Sequence, residues 1–224
     1  MLVTETPIVK DLVLIGGGHS QLAVLKRFGM KPIPGLRITL ITRDLHTPYS
    51  GMLPGYIAGH YQYDQTHIDL RKLANFAGAR IYHSEVSGLD LDSGQVLCLN
   101  RPPVNFDVVS INIGSRPNTF NIPGSDEYAL SVKPIDSFLH HWEGLSKTIL
   151  ESEKPFRLMV VGGGAGGVEM ALASQHRLHQ VLEGAGRQKQ QLSMQLLTDS
   201  KTVLPGHNAG AVRRFEKILK SRNI

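Results

Sequence analysis

The chain of 224 residues contains one cysteine, one tryptophan and only 6 % aromatic residues, and no apolar run in it approaches the length of a membrane-spanning helix. Each shortage excludes something. With Cys98 alone, neither an internal disulfide nor a redox dithiol can form within the chain. Its setting in an apolar segment, Gln95 to Leu99, reads as a small core side chain. A spanning helix needs roughly 18 or more apolar residues, and the stretch Met1 to Lys10 lacks the charged-then-apolar order of a secretory signal. The expectation is a cytoplasmic protein with no transmembrane segment. The net charge is +5, but the basic residues are scattered and no aromatic-interleaved basic cluster accompanies them, which argues against a nucleic-acid partner. A hydrophobic content of 41 % is enough for a substantial core.

Glycine, by contrast, is placed with pattern. Gly16-Gly17-Gly18-His19-Ser20-Gln21 and Gly162-Gly163-Gly164-Ala165-Gly166-Gly167 each follow four consecutive apolar residues, Leu12 to Ile15 and Leu158 to Val161. Such runs have the length and branching of strands buried on both faces of a parallel sheet, and each turn opens onto a helical pattern. In that setting backbone N–H groups approach a pyrophosphate, and the helix N-terminus adds partial positive charge. Two turns with matching flanks imply two dinucleotide sites. The second has all three glycines of the pattern, Gly162, Gly164 and Gly167, whereas the first has Gly16 and Gly18 but Gln21 in third place. Gln21 is therefore expected to point outward or to push the first helix off its sheet.

Coarser patterning fills in an α/β chain. Leu22, Leu25 and Phe28 predict a helix stopping at Gly29, and Arg37 to Thr42 a second parallel strand. At its end, where a ribose-binding residue belongs, stand Thr42 and Arg43, with the nearest acid, Asp44, offset. Thr47 to Gly59 is rich in glycine, proline and aromatics yet apolar, the composition of a segment that lets backbone approach a flat ring. A helix over Ile68 to Ala77, a strand over Arg80 to His83 and a small antiparallel insertion through Ser87, Gln95 to Leu99 and Phe106 to Ile113 follow. That last strand enters a glycine turn at Gly114 and Ser115. A helix over Ile135 to Glu151 leads to the linker Glu153-Lys154-Pro155, and a second βαβ unit starts near Phe156, with Leu192 to Leu197 as its second strand. Asp199 just beyond is a ribose-hydroxyl partner whose charge favours NAD over NADP. Val212, Phe215, Ile218 and Leu219 mark a further amphipathic helix. His176 and His179 share a helix face without a third metal-ligand neighbour, so a solvated face is expected and no metal.

The order of these segments resembles the two-dinucleotide-binding-domain flavoproteins of the pyridine nucleotide-disulfide oxidoreductase superfamily, and within it the type II NADH dehydrogenase branch. The resemblance is carried by Leu14 to His19, Ile38 to Ile41, Thr47 to Gly59, Ile113 to Asn118, Ile122-Pro123-Gly124, Val160 to Glu169 and Leu204-Pro205-Gly206. Gly-Gly-Gly-His-Ser and Thr-Pro-Tyr-Ser-Gly-Met-Leu-Pro-Gly look like the flavoprotein domain found alone or fused to selenide, water dikinase.

The resemblance implies a Rossmann-like FAD-binding domain over residues 1–152, with a small antiparallel β insertion and without its C-terminal part. The N-terminal portion of a second, NAD(P)-binding Rossmann-like domain would follow over 153–224. Carried onto this chain, Gly16, Gly18, His19 and Ser20 would cradle the FAD pyrophosphate. Ser50, Gly51, Met52 and Pro54 would line the flavin, Val86 would approach adenine, and Gly114 and Ser115 would close the site. Gly162, Gly164 and Gly167 would hold the NAD(P)H pyrophosphate, with Glu169 near the nicotinamide, orienting rather than reacting. No side chain is given a catalytic role.

The implied function is an FAD-dependent NAD(P)H oxidoreductase that passes hydride to flavin and then to a small-molecule acceptor such as a quinone. Disulfide reduction and sulfide oxidation are disfavoured by the solitary Cys98. The resemblance covers about the first half of a complete enzyme, so an N-terminal fragment is expected. It also admits peripheral membrane association of the full-length protein, self-association, and fusion or association with a selenide, water dikinase. A non-catalytic dinucleotide-binding module is the alternative.

Overall fold

Leu12 to Ile15 and Ile38 to Ile41 are almost uniformly apolar because both faces of the sheet they form are covered, so alternate side chains meet different partners. The computed structural model describes residues 7–115, 117, 122–152 and 154–224. In chain order its elements are β1 (Lys10–Ile15), α1 (His19–Met30), β2 (Leu36–Thr42), β3 (His46–Pro48), α2 (Leu53–Ile57), α3 (Tyr63–Thr66), β4 (His67–Asp69), α4 (Leu70–Phe76), β5 (Arg80–His83), β6 (Val86–Asp90), β7 (Gln95–Cys98), β8 (Arg101–Asn105), β9 (Val108–Ile111), α5 (Ser125–Tyr128), α6 (Ile135–Glu151), β10 (Phe156–Val161), α7 (Ala165–Gly184), β11 (Leu192–Leu197) and α8 (Ala209–Ser221). They fall into two compact units, Met1–Tyr49 with His67–Thr119, and Ser50–Thr66 with Phe120–Ile224. The arrangement is α/β, with parallel sheets built around both glycine turns.

In the first unit the parallel sheet has the order β5-β2-β1-β9. On one face Leu14, Ile38 and Leu40 pack with Leu25 of α1 and Leu70 of α4. On the other, Val13, Ile15 and Ile41 meet Val96 of the antiparallel sheet β6-β7-β8. The expected insertion is corrected in part: the strand expected over Phe106 to Ile113 is β9, which pairs in parallel with β1, and the third antiparallel strand is β8, which the sequence pattern does not show. β8 carries Pro102 and Pro103 and lies at the sheet edge, where proline's missing N–H is tolerated. Asp11 at the start of β1 is doubly bonded to the Arg37 guanidinium of β2, and its carboxyl is held below the ordinary value, first by that hydrogen bond. Cys98 is half-buried against the Val96 cluster, and burial pushes its thiol up, consistent with a packing role.

Two helix boundaries differ from expectation. Helix α1 does not stop at Gly29 but runs to Met30, and a Cβ at Gly29 would overlap the Phe76 ring. Glycine there serves the close packing of α1 on α4. The helix expected from Ile68 begins at Leu70 instead, because His67–Asp69 pairs with His46–Pro48 and the Asp69 side chain caps α4 by accepting from the Arg71 N–H.

The second unit is organised around α7. Its buried residues pack with Leu53, Ile57 and Ala58 of the α2 segment, with Phe138, Leu139, Trp142 and Ile149 of α6, and with Leu192 and Met194 of β11. The helix α6 spans the expected residues, its buried positions recurring at helical spacing. Arg187 donates to the carbonyls of Ile149, Leu150 and Ser152, satisfying the C-terminal end of α6. β10 and β11 pair in parallel as expected. Burial of β10 on both faces is not found, however. Phe156, Leu158 and Val160 face the core, while Met159 and Val161 are 47 % and 73 % exposed, because the packed elements lie on one side of this two-stranded sheet. Glu153 of the expected linker lies outside the described residues.

Two candidate dinucleotide sites

Both glycine turns sit where a parallel strand hands over to a helix. Gly16, at φ +85°, begins the first, its N–H bonded to the Ile41 carbonyl at 2.8 Å, and Gly18 is the N-cap of α1. Gly162, at φ +120°, begins the second, its N–H bonded to the Leu197 carbonyl at 2.8 Å, and Gly164 is the N-cap of α7. Neither N-cap supplies a side-chain hydrogen bond, and neither helix has an acid in its first turn. Elsewhere α4 and α8 are capped by the side chains of Asp69 and Asn208, while α2, α5 and α6 also take no side-chain cap. The two helices after the glycine turns thus keep N–H groups and dipole for an anion from outside.

The glycines are needed for different reasons. In the second turn, a Cβ at Gly167 would overlap the Gly162 carbonyl oxygen and one at Gly163 the Thr198 side chain. A Cβ at Gly164 would meet nothing of the protein within 4 Å, as at Gly162 and Gly166 of the same turn. In the first turn, a Cβ at Gly16 would overlap the Asn112 carbonyl, and one at Gly18 the Asn112 side chain.

The expectation for Gln21 is corrected. It neither points outward nor stands off from the sheet: it is fully buried, and its Nε2 donates to the Ser110 carbonyl at 2.9 Å and lies 3.1 Å from the Ser110 hydroxyl. A long polar side chain fits because β9 supplies polar partners beneath α1, so α1 is tied to β9 by hydrogen bonds where a third glycine would allow bare contact. Ser110 and Asn112 alternate with Val109, Ile111 and Ile113, and that period of two is the sequence signal for this polar stripe.

The remaining candidates divide between the units. In the first, His19 and Ser20 open α1, and the His19 ring meets Tyr49 edge-on, centroids 5.0 Å apart. Thr42 is buried with its hydroxyl on the Asp44 carbonyl, and the Arg43 guanidinium pairs with the Asp44 carboxylate at 2.8 Å. Val86 starts β6 and packs on the Val13 cluster. Gly114, at φ +83°, and Ser115 follow β9 as irregular chain. Arg116 and Asn118 of the same motif lie outside the described residues.

The second unit contains Ser50, Gly51, Met52, Pro54, Gly162, Gly164, Gly167, Glu169 and Asp199. Ser50–Met52 forms a 3-10 turn leading into α2. Gly51 and Pro54 come together with Glu169 in an open groove of about 580 Å³, lined also by Ala58, Leu172 and His176. Residues more than a hundred positions apart therefore share one surface. His60 also lines this groove, and its ring lies 5.4 Å from that of His176, so the face of α7 bearing His176 is half-buried rather than solvated. Burial, the first cause, together with nearby Lys189, holds the His179 imidazole below its ordinary value. Asp199 is exposed and accepts from the Ser200 hydroxyl at 3.0 Å. Among the described residues no cluster of His, Cys, Asp and Glu could hold a metal, and no helix is long and apolar enough to cross a membrane.

Strand, glycine turn and uncapped helix thus occur twice along the chain, and comparison with known proteins identifies its family. The family model of pyridine nucleotide-disulphide oxidoreductases matches residues 10–224. The chain belongs to that family. It is 29 % identical over 168 residues to the NADH dehydrogenase-like protein YutJ of Bacillus subtilis (strain 168), covering 73 % of this chain and 44 % of the relative. It is 23 % identical over 192 residues to the mitochondrial external NADH-ubiquinone oxidoreductase 2 of Saccharomyces cerevisiae, covering 77 % of this chain and 35 % of that protein. Plasmodium falciparum NDH2, solved in complex with NADH, shares the fold with a TM-score of 0.82 at 21 % identity, covering 96 % of this chain and 47 % of the enzyme. The chain thus spans less than half the length of these relatives.

Proposed function

We propose that the chain carries the dinucleotide-binding parts of an FAD-dependent NAD(P)H oxidoreductase, with FAD on residues 1–152 and the nicotinamide dinucleotide on 153–224. The observation that carries this is the repeated turn: two parallel strands, each ending in a glycine turn whose helix N-terminus takes no side-chain cap. The residues fit such ligands. Bare backbone at Gly164, left-handed glycines at Gly16 and Gly162, and first helical turns without acids provide room and positive potential for two pyrophosphates. Gly16, Gly18, His19, Ser20, Gly114 and Ser115 would hold the FAD phosphates, Thr42 and Arg43 its ribose end, Val86 its adenine, and Ser50, Gly51, Met52 and Pro54 its ring. Gly162, Gly164 and Gly167 would hold the second pyrophosphate, Asp199 the ribose hydroxyls, and Glu169 the nicotinamide end.

Bound flavin would supply the hydride-accepting chemistry. The chain's own task is to fix orientation and exclude water with glycine turns and the apolar Thr47–Gly59 segment. A quinone is the acceptor we favour, since relatives such as the yeast protein are named as ubiquinone oxidoreductases. We further propose a cytoplasmic setting, self-association, and a link to the flavoprotein domain of selenide, water dikinase. That link is supported by the Gly16 to Ser20 and Thr47 to Gly55 segments.

The test is a visible absorption spectrum of the purified chain with FAD, before and after NADH without oxygen. Flavin bands that bleach with NADH are expected. A folded chain that binds NADH but takes up no flavin would replace the oxidoreductase with a nucleotide-binding module.

A further inference from the structure

The residue that follows β9 straddles the first glycine turn. The Asn112 N–H holds the Ile15 carbonyl at 2.8 Å, its carbonyl lies against Gly16 and its side-chain amide against Gly18, the N-cap of α1. Any larger residue at either glycine would collide with it. Asn112 continues the polar stripe begun by Ser110, and among the described residues its side-chain amide engages in no hydrogen bond. Asn112 is half-buried, and its amide, set against the N-cap of a helix with no side-chain cap, offers N–H donors to an anion held there. The strand beneath it is fixed, because Ser110, two residues earlier on the same side, is hydrogen-bonded to the fully buried Gln21 of α1. Turn, helix and strand end are thereby held in one register.

We propose that Asn112 is a further binding residue of the first site, donating its side-chain N–H to the diphosphate of the dinucleotide while the Gln21–Ser110 bridge holds it in place. This rests on the proposal that the first turn binds FAD. One hydrogen bond to a charged oxygen corresponds to about a tenfold to hundredfold change in affinity.

The test uses Asn112→Asp, which keeps the shape packed over Gly18 but replaces the donor with a negative charge, together with Asn112→Ala. FAD affinity is read by flavin fluorescence, NADH affinity by nucleotide fluorescence, and folding by thermal melting. Asn112→Ala should weaken FAD about tenfold or more, and Asn112→Asp more than that, with NADH affinity at the second turn unchanged. If Asn112→Asp melts like the wild type and binds FAD as tightly, the proposal is overturned while the FAD site stands. If the folded wild type binds NADH but no FAD, the FAD reading fails and this proposal fails with it.

Discussion

Gly164 and Gly167 lie three residues apart in one turn, yet adding a single methyl group should have opposite consequences at the two positions. At Gly167 the new Cβ would fall inside the contact distance of the Gly162 carbonyl oxygen, so α7 must move away from the end of β10. Overpacking of this kind costs about 1–3 kcal/mol, and for a chain of this size each kcal/mol lowers the melting temperature by about 2–4 °C. Gly167→Ala should therefore melt roughly 2–12 °C lower, and a displaced α7 should also lose NADH. At Gly164 the Cβ meets no protein atom within 4 Å, and φ is −71°, which any residue adopts. Gly164→Ala should change the melting temperature only by the loss of a preferred N-cap residue, about 1 kcal/mol or less. It should nevertheless weaken NADH at least about tenfold, since the methyl occupies ligand space. Thermal melting and NADH titration of both variants decide the matter. A Gly167→Ala protein that melts and binds like the wild type would refute the packing argument, and unchanged NADH affinity in Gly164→Ala would refute the assignment of that open space.

Gln21→Leu keeps the volume but removes the donor and acceptor that meet Ser110. It should destabilise by about 1–3 kcal/mol in a melting experiment; Leu tolerated without loss would show that the bridge does not hold α1 on β9. Asp11 has a folded value below its ordinary 3.8, chiefly through the Arg37 hydrogen bond. Its contribution is fully present above the ordinary value and is lost as pH falls through the folded value. Asp11→Asn should therefore flatten the drop in melting temperature on acidification from about pH 5 to about pH 3, and an equally steep drop would contradict this. Asp199→Ala should weaken NADH about tenfold while affecting NADPH less, because it removes both a hydroxyl acceptor and a charge that repels the extra phosphate; equal losses for both nucleotides would remove Asp199 from the ribose site.

Much of this was legible because it depends on local chemistry. Two apolar tetrads followed by glycine turns marked β1, α1, β10 and α7, and the stretch Ile135 to Glu151 was read as the helix that is α6. What could not be read depended on partners distant in sequence. Whether Gln21 faced in or out was decided by Ser110, 89 residues away. The role of Gly29 was decided by Phe76, and the exposure of Met159 and Val161 by where α6 and α7 pack. Periodicity shows that a strand is apolar; it does not show how many of its faces are covered. The short strand His67–Asp69 escaped because three residues make too brief a pattern to compete with the helix that follows. The grouping of Gly51 and Pro54 with Glu169 in one groove required α2 to be seated on α7, a contact that neither segment announces alone.

Calorimetric titration of the chain with FAD and with NADH, in the wild type and in Gly18→Val and Gly164→Val, tests the two-site account most directly. One FAD and one NADH per chain are predicted, with Gly18→Val losing FAD and keeping NADH, and Gly164→Val losing NADH and keeping FAD. Loss of both ligands from either folded variant, or binding of both undisturbed, would contradict two separate dinucleotide sites.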